Sequence, residues 1–167
     1  MRAVAAIGVC LAALGVAGCG QIMRTNPASS SPAPVADVDV VVADAAPTAA
    51  HWDNLPGADG IRVRVTLYRA DRPQPVVGEG ALDFLLFLGK TGDVDLSKAE
   101  PFQIWSYTAP ELRPALVRNI VGWGYMMSLA WGQHLPPSPT VMLLVRYRPP
   151  KGEPVYARPV TIMVSQP

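Results

Sequence analysis

Few side chains in this 167-residue sequence have the types and spacing that chemistry demands, and each group implies a different kind of site. Asp93-Val-Asp95 followed by Glu100 gathers carboxylates on one short stretch, the donor type that calcium takes as six to eight oxygens. The turn glycine and closing glutamate of an EF-hand are missing, so the expectation is a solvated loop and no metal is assigned. His51 and His134 are the only histidines, and neither has an Asp or Ser at a motif spacing for general-base work. No Gly-x-Ser-x-Gly elbow is present, and no catalytic residue is expected. Trp52 and Trp123 are the candidates for stacking on sugar rings, Trp123 because it stands between Gly122 and Gly124. Trp105 and Trp131 fall within strand patterns, where large aromatics fill cores. Arg62, Arg64, Arg146 and Arg148 take the outward parity of two strands. If those strands are neighbours, they make one basic stripe for anionic headgroups or an acidic partner. Otherwise they lay their stems over the sheet, with Glu79 or Asp83 neutralising them.

The remaining reactive group is Cys19. Before it runs an apolar segment from Ala3 to Ala17, preceded by Arg2 and closed by the small pair Ala17-Gly18. That is the layout of a secretory signal. It is too short for a transmembrane anchor, which needs about 20 apolar residues. With its cysteine directly after Leu14-Gly-Val-Ala-Gly18, the segment resembles a bacterial lipobox. The resemblance implies a diacylglyceryl group on Cys19 Sγ, removal of residues 1–18, and acylation of the new amino terminus. Two or more chains meet the requirement for stable anchoring. Gly20, rather than Asp, after the cysteine leans toward the outer membrane over the inner.

On that resemblance Cys10 leaves with the signal, and the mature chain is expected to have neither a free thiol nor a disulfide. Thiol catalysis and cysteine zinc sites are thereby excluded. Removing Arg2 leaves thirteen basic residues against thirteen acidic ones, and no overall field steers the chain to nucleic acid. Residues 19–50 have no aromatic side chain and include Pro27-Ala-Ser-Ser-Ser-Pro-Ala-Pro34. Such a composition buries too little surface to offset backbone entropy. The expectation is a disordered tether of roughly 30 Å at coil dimensions. Asp37-Val-Asp-Val-Val-Val-Ala-Asp44 alternates enough for an added edge strand, but the reading leaves it in the tether.

The globular domain is expected over 51–167. Ile61 to Tyr68 alternates at every step, the period of a half-buried strand. Pro73 and Pro75 break it because they cannot donate to a ladder. Val76 to Leu88 is apolar on both parities and reads as a strand covered on both faces. Phe102 to Tyr107, Tyr125 to Trp131, Thr140 to Tyr147 and Val155 to Val164 complete the strands. Thr108-Ala-Pro-Glu111 has the spacing of a capping box, and Pro114 limits the helix to a turn or two. About seven strands and one short helical turn predict an all-β, antiparallel two-sheet sandwich behind the tether.

The Ile61-Arg-Val-Arg-Val-Thr-Leu67 strand, Trp105 before Thr108-Ala-Pro-Glu-Leu112, and Gly124-Tyr125 opening a strand that ends Leu129-Ala-Trp131 form a recognisable series. Leu143-Leu-Val-Arg-Tyr147 and Pro154-Val-Tyr156, joined by a glycine turn, close it. In this order they resemble bacterial envelope lipoproteins built on a single transthyretin-like or immunoglobulin-like sandwich. The resemblance carries over no catalytic residue. The expected function is therefore a non-enzymatic, membrane-tethered module that binds another envelope component, foremost a protein, through an edge strand or the arginine face. The alternative is a module recognising cell-wall or surface glycan. No cofactor is expected beyond the covalent lipid.

Overall fold

The computed structural model describes residues 31–52, 57–92, 95–96 and 98–165. The signal segment, Cys19 and Asp93 lie outside the described residues. Among the described residues, no helix is long and apolar enough to cross a membrane.

Among the described residues, ten strands build two sheets: β1 (Val40–Ala45), β2 (Gly60–Arg69), β3 (Arg72–Val76), β4 (Ala81–Leu88), β5 (Gln103–Tyr107), β6 (Leu116–Arg118), β7 (Trp123–Ala130), β8 (Thr140–Arg148), β9 (Val155–Tyr156) and β10 (Val160–Met163). The first sheet runs β1-β2-β7-β6, with β3 paired to β2, and the second runs β10-β8-β4-β5, with β9 paired to β8. Every pairing between these strands is antiparallel. A single turn of helix, α1 (Ala109–Leu112), follows β5. The Thr108 amide donates to Glu111 Oε2 at 2.7 Å, satisfying a group that a helix start leaves unpaired. Pro114 converts the continuation into a three-residue 3₁₀ turn, Arg113–Ala115.

The inner faces follow the period-2 pattern. Ile61, Val63, Val65 and Leu67 of β2 meet Leu82, Phe84 and Leu86 of β4, Val141, Leu143, Val145 and Tyr147 of β8, and Ile162 of β10, all in one buried cluster. Val155 to Val164 was expected as one strand; Ala157 to Pro159 interrupt it, leaving β9 and β10 on the same side of β8. The expectation that Pro73 and Pro75 only end a strand, and that Val76 to Leu88 is one strand, is corrected: Arg72–Val76 returns along β2 as β3, and β4 starts only at Ala81. Missing proline donors leave β3 with register partners at its two ends, Arg69↔Arg72 and Leu67↔Val76.

The tether boundary at residue 50 is corrected. Val40 to Ala45 pair in unbroken register with Tyr68 to Val63 of β2, and Val38, Val41 and Ala49 are buried in the main core. Further out, the Val35 amide donates to Val77 O at 2.8 Å. The compact unit therefore begins at Ser31. Composition misled because this segment needs no core of its own: its alternate valines complete a face that β2 already presents.

Residues 77–80 carry the chain from the first sheet to the second, pinned by two tyrosines. Gly78 N–H donates to Tyr125 Oη at 3.1 Å and Gly80 N–H to Tyr147 Oη at 2.9 Å. A Cβ on Gly80 would overlap both Arg148 O and the Tyr147 ring. Gly80→Ala is expected to lower stability by about 2–3 kcal/mol, the cost of overpacking that backbone must relieve; a denaturant melt with unchanged midpoint would disprove the contact.

Candidate functional site

The outer face of the second sheet is the part of the fold that its own elements only partly cover. β4 contributes Asp83, Leu85 and Phe87 to it, and β8 contributes Met142, Leu144, Arg146 and Arg148. Cross-strand register sorts these into rows: Ser106, Asp83, Arg146 and Tyr156 at one end, then Ile104, Leu85 and Leu144. Phe87 and Met142 stand beyond them. Leu85, Phe87, Met142 and Leu144 are buried as a second cluster, separate from the main core, with Ala99 packed against it. The cover comes from the loop after β4, where Lys98 and Ala99 amides donate to Asp95 O in a helical turn. A cleft of about 530 Å³ remains between that loop and β9, floored by Leu85, Phe87 and Leu144, walled by Leu96, Pro101, Tyr156 and Pro159, and ended by Arg146.

Asp83 organises the polar end. Its carboxylate is 1% exposed and accepts from every side: Ser106 Oγ at 2.8 Å, Arg146 Nε at 2.9 Å, and the Arg148 fork through Nε at 2.7 Å and Nη2 at 3.0 Å. Arg146 Nη2 lies 2.7 Å from Oδ2 as well. Burial pushes the Asp83 carboxyl up, but hydrogen bonds from Arg148, Ser106 and Arg146 outweigh it and hold the group below the usual carboxylate range. For Arg146, burial works against the charge, and its bonds to Asp83 and Tyr156 more than reverse that. One carboxylate thus serves two guanidiniums, and the cluster carries a surplus positive charge at the mouth of an apolar cleft.

The single arginine stripe is corrected. β2 borders β1, β3 and β7, whereas β8 borders β4, β9 and β10. Arg62 and Arg64 therefore face outward from one sheet and Arg146 and Arg148 from the other. Parity assigns a side chain to a face but says nothing of which sheet holds the strand. Asp83 does pair with Arg146 and Arg148, offsetting one of their two charges, while Arg62 lies 5.9 Å from the Trp52 ring centroid, within cation–π range. Arg64 Nε is buried without a hydrogen-bond partner.

The tryptophans are dispersed. Trp123 is half-buried against the main core, and Trp52 is 38% exposed under Arg62. They occupy opposite ends of the first sheet, since Trp123 opens β7 and Trp52 packs near Gly60, the partner of Ala130. Trp105 Nε1 donates to Ala130 O at 3.1 Å and Trp131 Nε1 to Ala58 O at 2.7 Å, tying core aromatics to backbone. Asp95 pairs with Lys98 at 3.4 Å, and Glu100 is exposed beside Phe87. No group of three or more metal-binding side chains gathers among the described residues. His51 and His134 are both exposed, and neither lines the main clefts.

Tyr156, Leu96 and Pro159 went unmarked in the sequence as cleft walls. The available signal was the two-sided apolar run Leu82–Leu88, which demands a cover on its outer face without naming it. Compared with known proteins, the chain matches no family model, no curated protein and no solved structure.

Proposed function

We propose that this protein is a lipid-anchored, non-catalytic binding domain of a bacterial cell envelope, placed in the outer membrane, and that its partner is another envelope protein. The lipid on Cys19 localises the domain, and the outer face of the second sheet makes the contact. The observation that carries this reading is the apolar cleft closed at one end by two arginines sharing one buried aspartate. A concave apolar floor with a few fixed polar groups is the usual form of a binding site. Tyrosine and arginine at its rim are the residue types that dominate protein contacts. The surplus cation favours a partner segment in which an acidic group follows apolar side chains.

The test is cross-linking in cells and recovery of the lipidated protein, compared with Cys19→Ser and with Tyr156→Ala/Leu96→Asp. Both replaced wall residues are about half exposed and lie outside the main core, so the domain should stay folded with only a small drop in melting temperature. One dominant protein is expected with the native chain. Its recovery should fall at least about tenfold when the walls are altered, as loss of an aromatic anchor implies, and should be lost with the anchor. Undiminished recovery from the wall variant would overturn the cleft as the contact. So would an absence of any enriched protein together with a tryptophan fluorescence shift on adding envelope glycan.

A further inference from the structure

The turn between β6 and β7 carries two β-branched apolar side chains at its tip. Asn119 N–H donates to Gly122 O at 2.9 Å and Gly122 N–H to Asn119 O at 3.2 Å, closing a tight hairpin whose central residues are Ile120 and Val121. Asn119 Oδ1 holds the turn as well, accepting from Val121 N–H at 2.9 Å and Gly122 N–H at 3.1 Å, so the shape of the turn depends on Asn119 and leaves its central side chains free to vary. Neither β-branched side chain belongs to the core: Ile120 is 103% exposed and Val121 54%. Val117, on β6 just below them, is exposed too. At the hairpin's base Arg118 pairs across to Trp123, and Arg and Trp are the residue types that sit at headgroup level.

The end of the sandwich bearing this turn is also the end at which the chain enters. Val40 pairs with Tyr68 near the β2 terminus, Val35 bridges to Gly78, and Gly122 lies against Pro75. Ser31 to Pro34 share one cleft with Pro110, Arg113 and Leu116 of the segment leading into β6. Only residues 20–30 separate Ser31 from Cys19, a reach of at most about 40 Å even fully extended.

We infer that the β6–β7 turn is a membrane wedge: Ile120 and Val121 enter the lipid surface that holds the anchor and orient the domain upon it. The inference rests on the anchoring reading of Cys19. Lipid alone would leave the domain free to rotate; an apolar tip beside the point of entry fixes the end facing the bilayer and turns the cleft-bearing sheet face sideways to it.

The test uses the full lipidated chain in vesicles of phosphatidylethanolamine and phosphatidylglycerol, with an environment-sensitive dye on Ile120→Cys or on Gln133→Cys at the opposite end. Quenchers carried on the lipid are expected to remove at least about half the emission at position 120, as for side chains lying 5–10 Å into the interface, and little at 133. Adding Val121→Asp to the Ile120→Cys chain should abolish the quenching while flotation persists. Flotation without quenching at 120, or equal quenching at both positions, overturns the wedge and leaves the anchor standing. A tip shielded by a cross-linked protein in native membranes overturns it as well. Failure to float overturns the anchoring reading and the wedge with it.

Discussion

A chain trimmed to begin at His51 is expected not to fold, whereas one beginning at Ser31 melts cooperatively. The difference lies in β1 and the crossing segment before it. Removing residues 31–50 takes Val38, Val41 and Ala49 out of the main core. The two valines alone contribute about 3–6 kcal/mol at the usual value for a fully buried aliphatic side chain. The loss also unpairs one whole edge of β2 from Val63 to Tyr68, leaving a long apolar strand open to other chains. Net stabilities of such domains are only about 5–15 kcal/mol, so the shorter chain has little or nothing left. Circular dichroism and size-exclusion chromatography of the two chains would decide it. A monomeric, cooperatively melting domain from His51 would return residues 31–50 to the tether and remove the argument that the anchor is held close.

What could be read before the fold was seen divides along a physical line. Patterns set by a strand's own side chains were legible. Ile61 to Tyr68 and Thr140 to Tyr147 lie within β2 and β8, and the two-sided run is a central strand buried on both faces from Leu82 to Phe87. The Thr108 and Glu111 pair starts its helix as spaced. What depends on a partner far along the chain was not legible. Arg62 and Arg146 share a parity yet occupy different sheets, because antiparallel neighbours are chosen by the connections between strands. β1 looked like linker because its stabilisation belongs to β2, with which it pairs. The cleft failed to show for the same reason: Leu96, Leu144 and Tyr156 come from three separate segments, brought together only by the β4–β8–β9 register.

Asp83→Ala is the point substitution expected to cost most, about 3–4 kcal/mol at neutral pH. Removing one member of a buried charge cluster costs 3–5 kcal/mol because it strands the others. Here the lower part of that range applies, since both arginine side chains keep some access to water. Truncating a single arginine should cost less, as the other guanidinium and Ser106 still satisfy the carboxylate. The dependence on pH separates this account from simple loss of packing. The folded Asp83 carboxyl titrates below its ordinary range, so unfolding raises its proton affinity. Its stabilisation is then fully present above the unfolded value of about 3.9 and lost as pH falls through the lower folded value. The stability gap between the native chain and Asp83→Asn should be constant from pH 7 to about pH 5 and shrink below about pH 4. Urea melts across that interval measure it. A gap that stays constant down to pH 2 would mean that Asp83 acts through shape alone, and the surplus positive charge at the cleft mouth would lose its basis.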